Sequence, residues 1–202
     1  MISVVMTSYN GIRFIGNQVE SILSQLKPDD QLIIGDNGST DGTIEYLQSL
    51  RKLDPRIIVS VYSDRTGVIS NLNHALALAR GDLIFLADQD DVWLNGRIDY
   101  CKNIFDINSN LLLLQTNVEI IDEDGRKTGE NFFALRKCGT GIWKNFWKNT
   151  WQGCNMVFRQ DLMHFVYPIP ENVPMHDVWI GIVAQLRGEV RMDPIILGLY
   201  RR

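Results

Sequence analysis

Four short apolar runs, each closed by a cluster of polar or acidic residues, occupy the first hundred positions of this 202-residue chain. Ile2-Ser3-Val4-Val5-Met6-Thr7 leads into Ser8-Tyr9-Asn10-Gly11, and Leu32-Ile33-Ile34-Gly35 leads into the turn-rich stretch from Asp36 to Gly42. Ile57 to Tyr62 precedes Arg65 to Gly67, and Leu83-Ile84-Phe85-Leu86-Ala87 runs directly into Asp88-Gln89-Asp90-Asp91. Runs of this length and β-branched content read as buried strands. Between them, apolar residues recur at helical spacing: Phe14, Val19, Ile22, Leu23 and Leu26, then Ile44, Leu47 and Leu50, then Val68 to Ala79 with a stop at Gly81. Asp41 is the expected cap of the second of these helices. The alternation predicts an α/β protein with a parallel sheet, helices on both faces and right-handed crossovers. Open sheets of this kind bind ligands beyond the carboxyl ends of their strands, where the four polar clusters fall.

The second half is less periodic. Asn95 to Asn108 reads as a helix, Leu111 to Asp122 as a strand closed by a hairpin turn at Glu123-Asp124-Gly125, Val178 to Leu186 as a buried helix and Ile195 to Tyr200 as a last strand. Residues 126–140 are polar and glycine-containing and are expected to form a mobile loop, followed by an aromatic cluster of Trp143, Phe146, Trp147 and Trp151. No linker interrupts the chain, so residues 1–202 are expected to form one domain, with a first half at 1–93 and a second at 94–202. The net charge of −4 argues against a nucleic-acid partner. Cys101, Cys138 and Cys154 are odd in number and far apart, which fits a reducing compartment better than a disulfide framework or a zinc set. No apolar run approaches the roughly 18 residues of a membrane span. A cytoplasmic location is expected, with a peripheral role at the inner face of the plasma membrane left open.

The acidic cluster carries the chemistry. If the strand persists past Ala87, Asp88 and Asp90 point to the same side. Two such carboxylates repel, and one takes up a proton unless a cation lies between them. A hard divalent ion held by one or two carboxylates together with substrate phosphates resolves that conflict. The competing reading is a solvated turn that caps a helix starting near Val92. Three acids between a buried strand and Trp93 favour the metal site.

Phe85 to Trp93 resembles the Asp-x-Asp signature of family 2 glycosyltransferases with the GT-A fold, in a form similar to bacterial rhamnosyltransferase-like members. Val4 to Asn10 resembles that family's first strand and loop, Gly35 to Thr43 its Asp-Asp-Gly-Ser-x-Asp motif, and Gly67 to Asn73 its glycine-then-asparagine stretch. Gly153 to Arg159 and His176-Asp177-Val178-Trp179 resemble its acceptor-side motifs. The resemblance implies a three-layer sandwich with a mostly parallel central sheet. It also implies an inverting transfer of sugar from a nucleoside diphosphate sugar to an acceptor hydroxyl in bacterial surface polysaccharide synthesis. The donor would be a UDP- or dTDP-sugar, with rhamnose one candidate, and the acceptor a saccharide or a lipid-linked saccharide. Manganese and magnesium suit the expected oxygen ligands equally well.

On this resemblance Asp90 is the direct metal ligand, with Asp88 touching the metal or the donor ribose. Asp91 caps the following helix or orients the ligands. Asp36, as an exposed carboxylate at a strand end, accepts an imide N–H of the nucleobase. Thr7, Tyr9 and Asn10 line the same edge: Tyr9 packs on the base or simply fills space, and Asn10 holds the ribose or the loop. Arg65 pairs with the diphosphate or stays solvated. Asn71 and Asn73 buttress the donor loops, and His74 is a packing histidine. Asp177 is the general base of the transfer. Gly153 and Cys154 form a close-approach turn under the acceptor, His176 belongs to the acceptor side, and Trp179 stacks on an acceptor sugar or fills core. Arg159 folds back onto a carboxylate or phosphate, or makes a surface ion pair.

Two other readings compete. A sugar nucleotidyltransferase would want a glycine- and lysine/arginine-rich loop after the first strand, which Val4 to Asn10 does not supply. A nucleotide-sugar-binding domain with an incomplete catalytic centre is the other. In related proteins the segment after Tyr200-Arg201 runs on into a histidine that can complete the metal shell, so a shortened C-terminus is expected here.

Overall fold

The computed structural model describes residues 1–62 and 67–202. Eight alternating elements build the first half: β1 (Ile2–Ser8), α1 (Ile15–Leu23), β2 (Gln31–Asp36), α2 (Thr43–Leu53), β3 (Ile57–Val61), α3 (Val68–Leu76), β4 (Leu83–Asp88) and the short β5 (Val92–Trp93). α4 (Arg97–Ile107), β6 (Leu111–Ile121), β7 (Lys127–Asn131), α5 (Phe132–Arg136) and α6 (Ile142–Trp147) follow. A 3₁₀ turn at Gly153–Asn155, β8 (Met156–Arg159), α7 (Met163–Val166), α8 (His176–Arg187) and β9 (Glu189–Arg201) complete the chain.

The described strands form one sheet in the order β3-β2-β1-β4-β8-β6-β9-β5, with β7 paired to β6. β3, β2, β1 and β4 are mutually parallel, as are β6 and β9, whereas β8, β7 and β5 pair antiparallel. A parallel sheet needs cover on both faces, and the alternation of side chains along each strand supplies it. Val4, Met6, Leu32 and Phe85 face a core built with Ile15, Val19 and Ile22 of α1, Leu47 of α2 and Ile98 to Phe105 of α4. Val5, Ile33, Ile84 and Leu86 face a second core with Leu72, Ala75 and Leu76 of α3 and Ile180 and Ala184 of α8. Val4, Val5, Met6, Ile33, Ile84 and Phe85 are wholly buried. Each such side chain stabilises the sheet by about 1.5–3 kcal/mol. Gly35 lets α3 come close: a Cβ there would lie 2.7 Å from Asn71 Oδ1.

The three-layer α/β plan expected from the sequence is the one observed. Several local expectations are corrected. β4 ends at Asp88 and residues 89–90 form a turn, so no persisting strand aligns Asp88 with Asp90. A strand, not a helix, follows Asp91; α4 starts at Arg97 behind Gly96 in a left-handed conformation. Gly42, with φ of 96°, occupies the cap position of α2, and Asp41 instead accepts from Thr43 N–H and Oγ1. The stretch 126–140 holds β7 and α5 rather than a loop alone. Asn117 fixes it, donating to Asn131 Oδ1 and accepting from Phe133 N–H, while Asn131 caps α5 through Ala134 N–H. Trp151 is buried whereas Trp143 and Trp147 are exposed, so Trp151 stands apart from those two; the Phe146 side chain lies outside the described residues.

Candidate active site

β1 has β2 on one side and β4 on the other, so the sheet's direction of progression switches between β1 and β4. The carboxyl ends flanking that switch are in register, with Thr7 opposite Asp88 and Ser8 opposite Asp36. A cleft opens there, lined by Thr7, Ser8, Tyr9, Asn37, Val68, Asn71, Asp88, Gln89 and Asp90. This is the position at which doubly wound sheets hold their ligands. Of the residues expected to bind a donor, Thr7, Tyr9, Asn71 and Asp88 line it. Arg65 lies outside the described residues.

Two expected donor contacts are used elsewhere. Asp36 is 0% exposed, and its carboxylate accepts from Ser8 Oγ at 2.8 Å, Ser39 N–H at 2.8 Å and Ser39 Oγ at 2.6 Å. It is therefore not the exposed carboxylate expected at the base; it ties the loop after β2 to the end of β1. Asn10, at a φ of 48°, donates its N–H to Ser39 Oγ and accepts from Thr40 N–H at 2.9 Å, so it holds the same loop and does not line the cleft. The next residue after Asp36 faces the cleft instead. Asn37 anchors its backbone N–H on Ser8 O at 2.9 Å, while its shielded Oδ1 meets no donor among the described residues. An unmet buried acceptor costs about 1–3 kcal/mol, which a ligand N–H would recover. Asn71 donates to Gly35 O at 2.7 Å and stiffens the cleft wall, and Asn73 clamps Ile169 through both N–H and C=O. His74 stacks on Tyr62 at 3.8 Å, a packing role as expected.

The acid turn has two sides. Asp88 and Asp90 line the open cleft. Asp91 is buried and accepts Arg201 N–H at 3.0 Å, and Arg201 Nε donates to Asp90 O at 2.9 Å, so the end of β9 fixes the turn. Among the described residues, Asp88, Asp91 and Cys154 offer ligand atoms within 4.8 Å of one another. Burial pushes the Asp91 carboxyl up to about 8, with the Asp88 charge adding to it. Burial also raises Asp88, opposed by His176 and reinforced by the charges of Asp90 and Asp177, and raises the Cys154 thiol well above its ordinary value. A protonated, buried thiol is a poor ligand for a hard cation. Asp88 and Asp90 both line the cleft, and two carboxylates suit such an ion when phosphates and water supply the rest. The donor set of Asp88 and Asp90 therefore fits a hard divalent metal.

Arg97 underlies this turn. It is 1% exposed and stacks 4.4 Å from the Trp93 ring centroid. It donates to Asn155 Oδ1 at 3.0 Å and Cys154 O at 2.9 Å, fixing the Gly153–Asn155 turn against the acid cluster. Buried guanidinium groups need such partners. Arg159 donates instead to the carbonyls of Phe105, Asn108 and Leu111, and pairs with no carboxylate among the described residues.

A second pocket opens beyond the turn, lined by Ile120, Phe132, Leu135, Arg136, Asn149, Trp151, Gln152, Asp177, Tyr200 and Arg202. Asp177 sits in the first turn of α8 and accepts from Asn149 Nδ2 at 3.2 Å and Val178 N–H at 2.7 Å. Burial raises its carboxyl, against the opposing influence of His176 and these hydrogen bonds. The Asp177 charge adds to the upward shift of the Asp88 carboxyl. The neighbouring glycine explains itself. A Cβ on Gly153 would overlap the His176 ring. Gly153→Ala is expected to destabilise the fold by about 1–3 kcal/mol, as overpacking does. A melt should fall by about 2–4 °C per kcal/mol.

Trp179 does not line this pocket; its indole N–H donates to Val166 O at 3.0 Å and the ring packs in the second core. The aromatic residues at the pocket are Phe132, Trp151 and Tyr200, which the sequence did not single out for this role. Trp151 had one usable signal, because it is the tryptophan nearest the Gly153-Cys154 motif.

A cleft at a sheet switch, an acid turn beside it and a second pocket with a buried carboxylate make up the candidate site. Residues 3–166 match the family model described as glycosyl transferase family 2, and the chain belongs to that family. Among curated proteins it is similar to one named for teichuronic acid biosynthesis, the glycosyltransferase TuaG of Bacillus subtilis. The two are 36% identical over 99 residues, covering 49% of this chain and 39% of that one. It is also 27% identical over 185 residues to the Escherichia coli UDP-Glc:α-D-GlcNAc-diphosphoundecaprenol β-1,3-glucosyltransferase WfgD, covering 91% of this chain and 70% of that one. The chain spans about half the length of most of the curated relatives it matches. Among solved structures, Staphylococcus aureus TarS in complex with UDP-GlcNAc superposes with a TM-score of 0.78 at 17% identity, covering 100% of this chain and 58% of that one. A Pyrobaculum calidifontis mannosyltransferase in complex with GDP-Man and Mn²⁺ gives 0.74 at 16% identity, covering 98% and 56%. These likenesses establish the GT-A fold.

Proposed function

We propose that this chain transfers a sugar from a nucleoside diphosphate sugar to a hydroxyl of a saccharide acceptor in bacterial polysaccharide synthesis, with inversion at the anomeric carbon. The observation that carries the reading is the pairing of two pockets: a switch-point cleft walled by Asp88 and Asp90, and beside it a pocket holding the buried carboxylate of Asp177. The family match and the names of the relatives support it. The division of labour follows the chain, with residues 1–93 holding the donor and 94–202 supplying the acceptor side.

Asn37 reads the base edge. Its Oδ1 accepts the imide N–H of uracil or thymine, and Tyr9 lies in the same cleft to pack against the ring. A bound divalent cation held by Asp88 and Asp90 would neutralise charge developing on the diphosphate leaving group. Asp91, Arg97 and Arg201 keep those two carboxylates in place. Asp177 takes the proton of the acceptor hydroxyl as the new bond forms at the anomeric carbon. The WfgD relative is named for a diphosphoundecaprenol-linked acceptor, which supports a lipid-linked saccharide here as well.

Asn37→Ala is expected to weaken UDP or dTDP binding about tenfold, the cost of one buried hydrogen bond, and calorimetric titration measures it. The function itself is tested by incubating the protein with a panel of UDP-, dTDP- and GDP-sugars and saccharide acceptors in the presence of manganese. Acceptor-dependent release of the nucleoside diphosphate, with a product of inverted anomeric configuration by NMR, is the expected result. Release that does not depend on acceptor, or a product of retained configuration, contradicts it.

A further inference from the structure

We propose that α6 and its flanks form a docking surface for an anionic phospholipid bilayer. The starting point is a segregation of charge. From Asn131 to Gln160 the chain has no acidic residue, although its net charge is −4. Within that stretch Arg136, Lys137, Lys144 and Lys148 are exposed. Among the described residues none of the four pairs with a carboxylate; Arg136 donates to Asn149 O and Lys144 to Lys137 O.

Set among these cations are two tryptophans with no place in the core. Trp143 is 78% exposed and Trp147 is 83% exposed. Four residues apart on the helix, they share one face; Lys144 follows Trp143 on α6, and Lys148 caps the helix end. Leu135 on α5 is exposed too. This exposure is held in place by buried contacts. Asn145, 1% exposed, donates to Gly139 O and Gly141 O and accepts from Thr150 N–H and Oγ1, and Gly141 N–H donates to Gln185 on α8.

Tryptophan beside lysine on a mounted helix suits the boundary of a bilayer. The indole rings settle at headgroup depth, and the ammonium groups meet anionic lipid. The acidic remainder of the molecule is repelled by the same surface, so the charge distribution also sets orientation. No described helix is long and apolar enough to cross a membrane. The patch adjoins the Asp177 pocket, to which Phe132, Leu135 and Arg136 of α5 contribute. On the transferase reading, a lipid-linked acceptor anchored in that bilayer would enter the pocket from this side; attachment itself does not rest on that reading.

The test is co-sedimentation of the chain with vesicles of phosphatidylcholine, with and without phosphatidylglycerol, in the absence of any nucleotide sugar. Binding to the anionic vesicles only, weakened by salt and accompanied by a blue shift of tryptophan emission, is expected. At about 1 kcal/mol per cation, the double variant Lys144→Gln/Lys148→Gln should bind about 30-fold more weakly. The double variant Trp143→Ser/Trp147→Ser, at exposed positions, should keep its far-UV spectrum, bind at least tenfold more weakly and lose most of the blue shift. Failure to bind anionic vesicles overturns the proposal, as does binding that neither double variant weakens. Concentration-dependent self-association that shields the two tryptophans without vesicle binding would assign the surface to a second copy instead. Transfer to a soluble acceptor, measured separately, shows whether the catalytic reading stands regardless of that outcome.

Discussion

Asp90→Ala is expected to lower the transfer rate about 10³-fold while leaving the fold intact. The reason lies in what surrounds the side chain. Asp90 lines the cleft in a turn whose backbone is fixed by Arg201, and its carbonyl, not its carboxylate, makes the structural hydrogen bond. Removing the carboxylate therefore takes away charge from the cleft without removing a support of the fold. Losses of about 10²–10³ are typical when one electrostatic stabiliser of a developing charge is deleted. Single-turnover rates with saturating donor measure it, and a melt within about 2 °C of the parent protein shows that structure is preserved. A rate within tenfold of the parent would remove Asp90 from the leaving-group site.

Asp177→Asn is expected to cost about 10²–10⁴ in turnover, the range of a general base, with donor affinity unchanged. The substitution preserves shape and the contact with Asn149 but cannot accept the proton. Donor affinity is the informative control, because Asp177 lies in the second pocket and not in the switch-point cleft. The base must be ionised to act. Burial raises the Asp177 carboxyl, so activity should be full above its raised pKa and fall as pH drops through it. The acid limb of the rate profile should therefore lie above the ordinary aspartate value of about 3.9. The asparagine variant should lose that limb. An acid limb that persists in the variant would assign it to another group.

The sequence made the sheet legible because parallel strands are short, apolar and local, and their polar ends declare themselves. The acid turn was legible for the same reason. What escaped it were contacts between segments distant in the chain. Asp36 and Asn37 are adjacent, yet one is locked between Ser8 and Ser39 while the other faces the cleft; only the pairing of β1 with β2 decides which. Trp179 takes the core role that was one of its two expectations, and Trp151 lines the second pocket, for a similar reason. Trp179 bonds back to α7, and Trp151 reaches the pocket after its ring packs over Gly181 of α8. The order in residues 126–136 depends on Asn117, a side chain from β6 that local composition cannot announce.

The central claim is that the cleft between β1 and β4 holds a nucleoside diphosphate together with a divalent cation. Its most direct measurement is thermal stabilisation of the protein by UDP, dTDP and GDP, each with manganese or with a chelator. A ligand bound only by the folded state raises the melt by mass action, so joint binding is read as an excess over the two separate effects. A pyrimidine diphosphate with manganese should raise the melting temperature well beyond either alone, and Asp90→Ala should abolish that excess. Stabilisation that is absent for every nucleotide, or equal with and without the metal, would contradict the account.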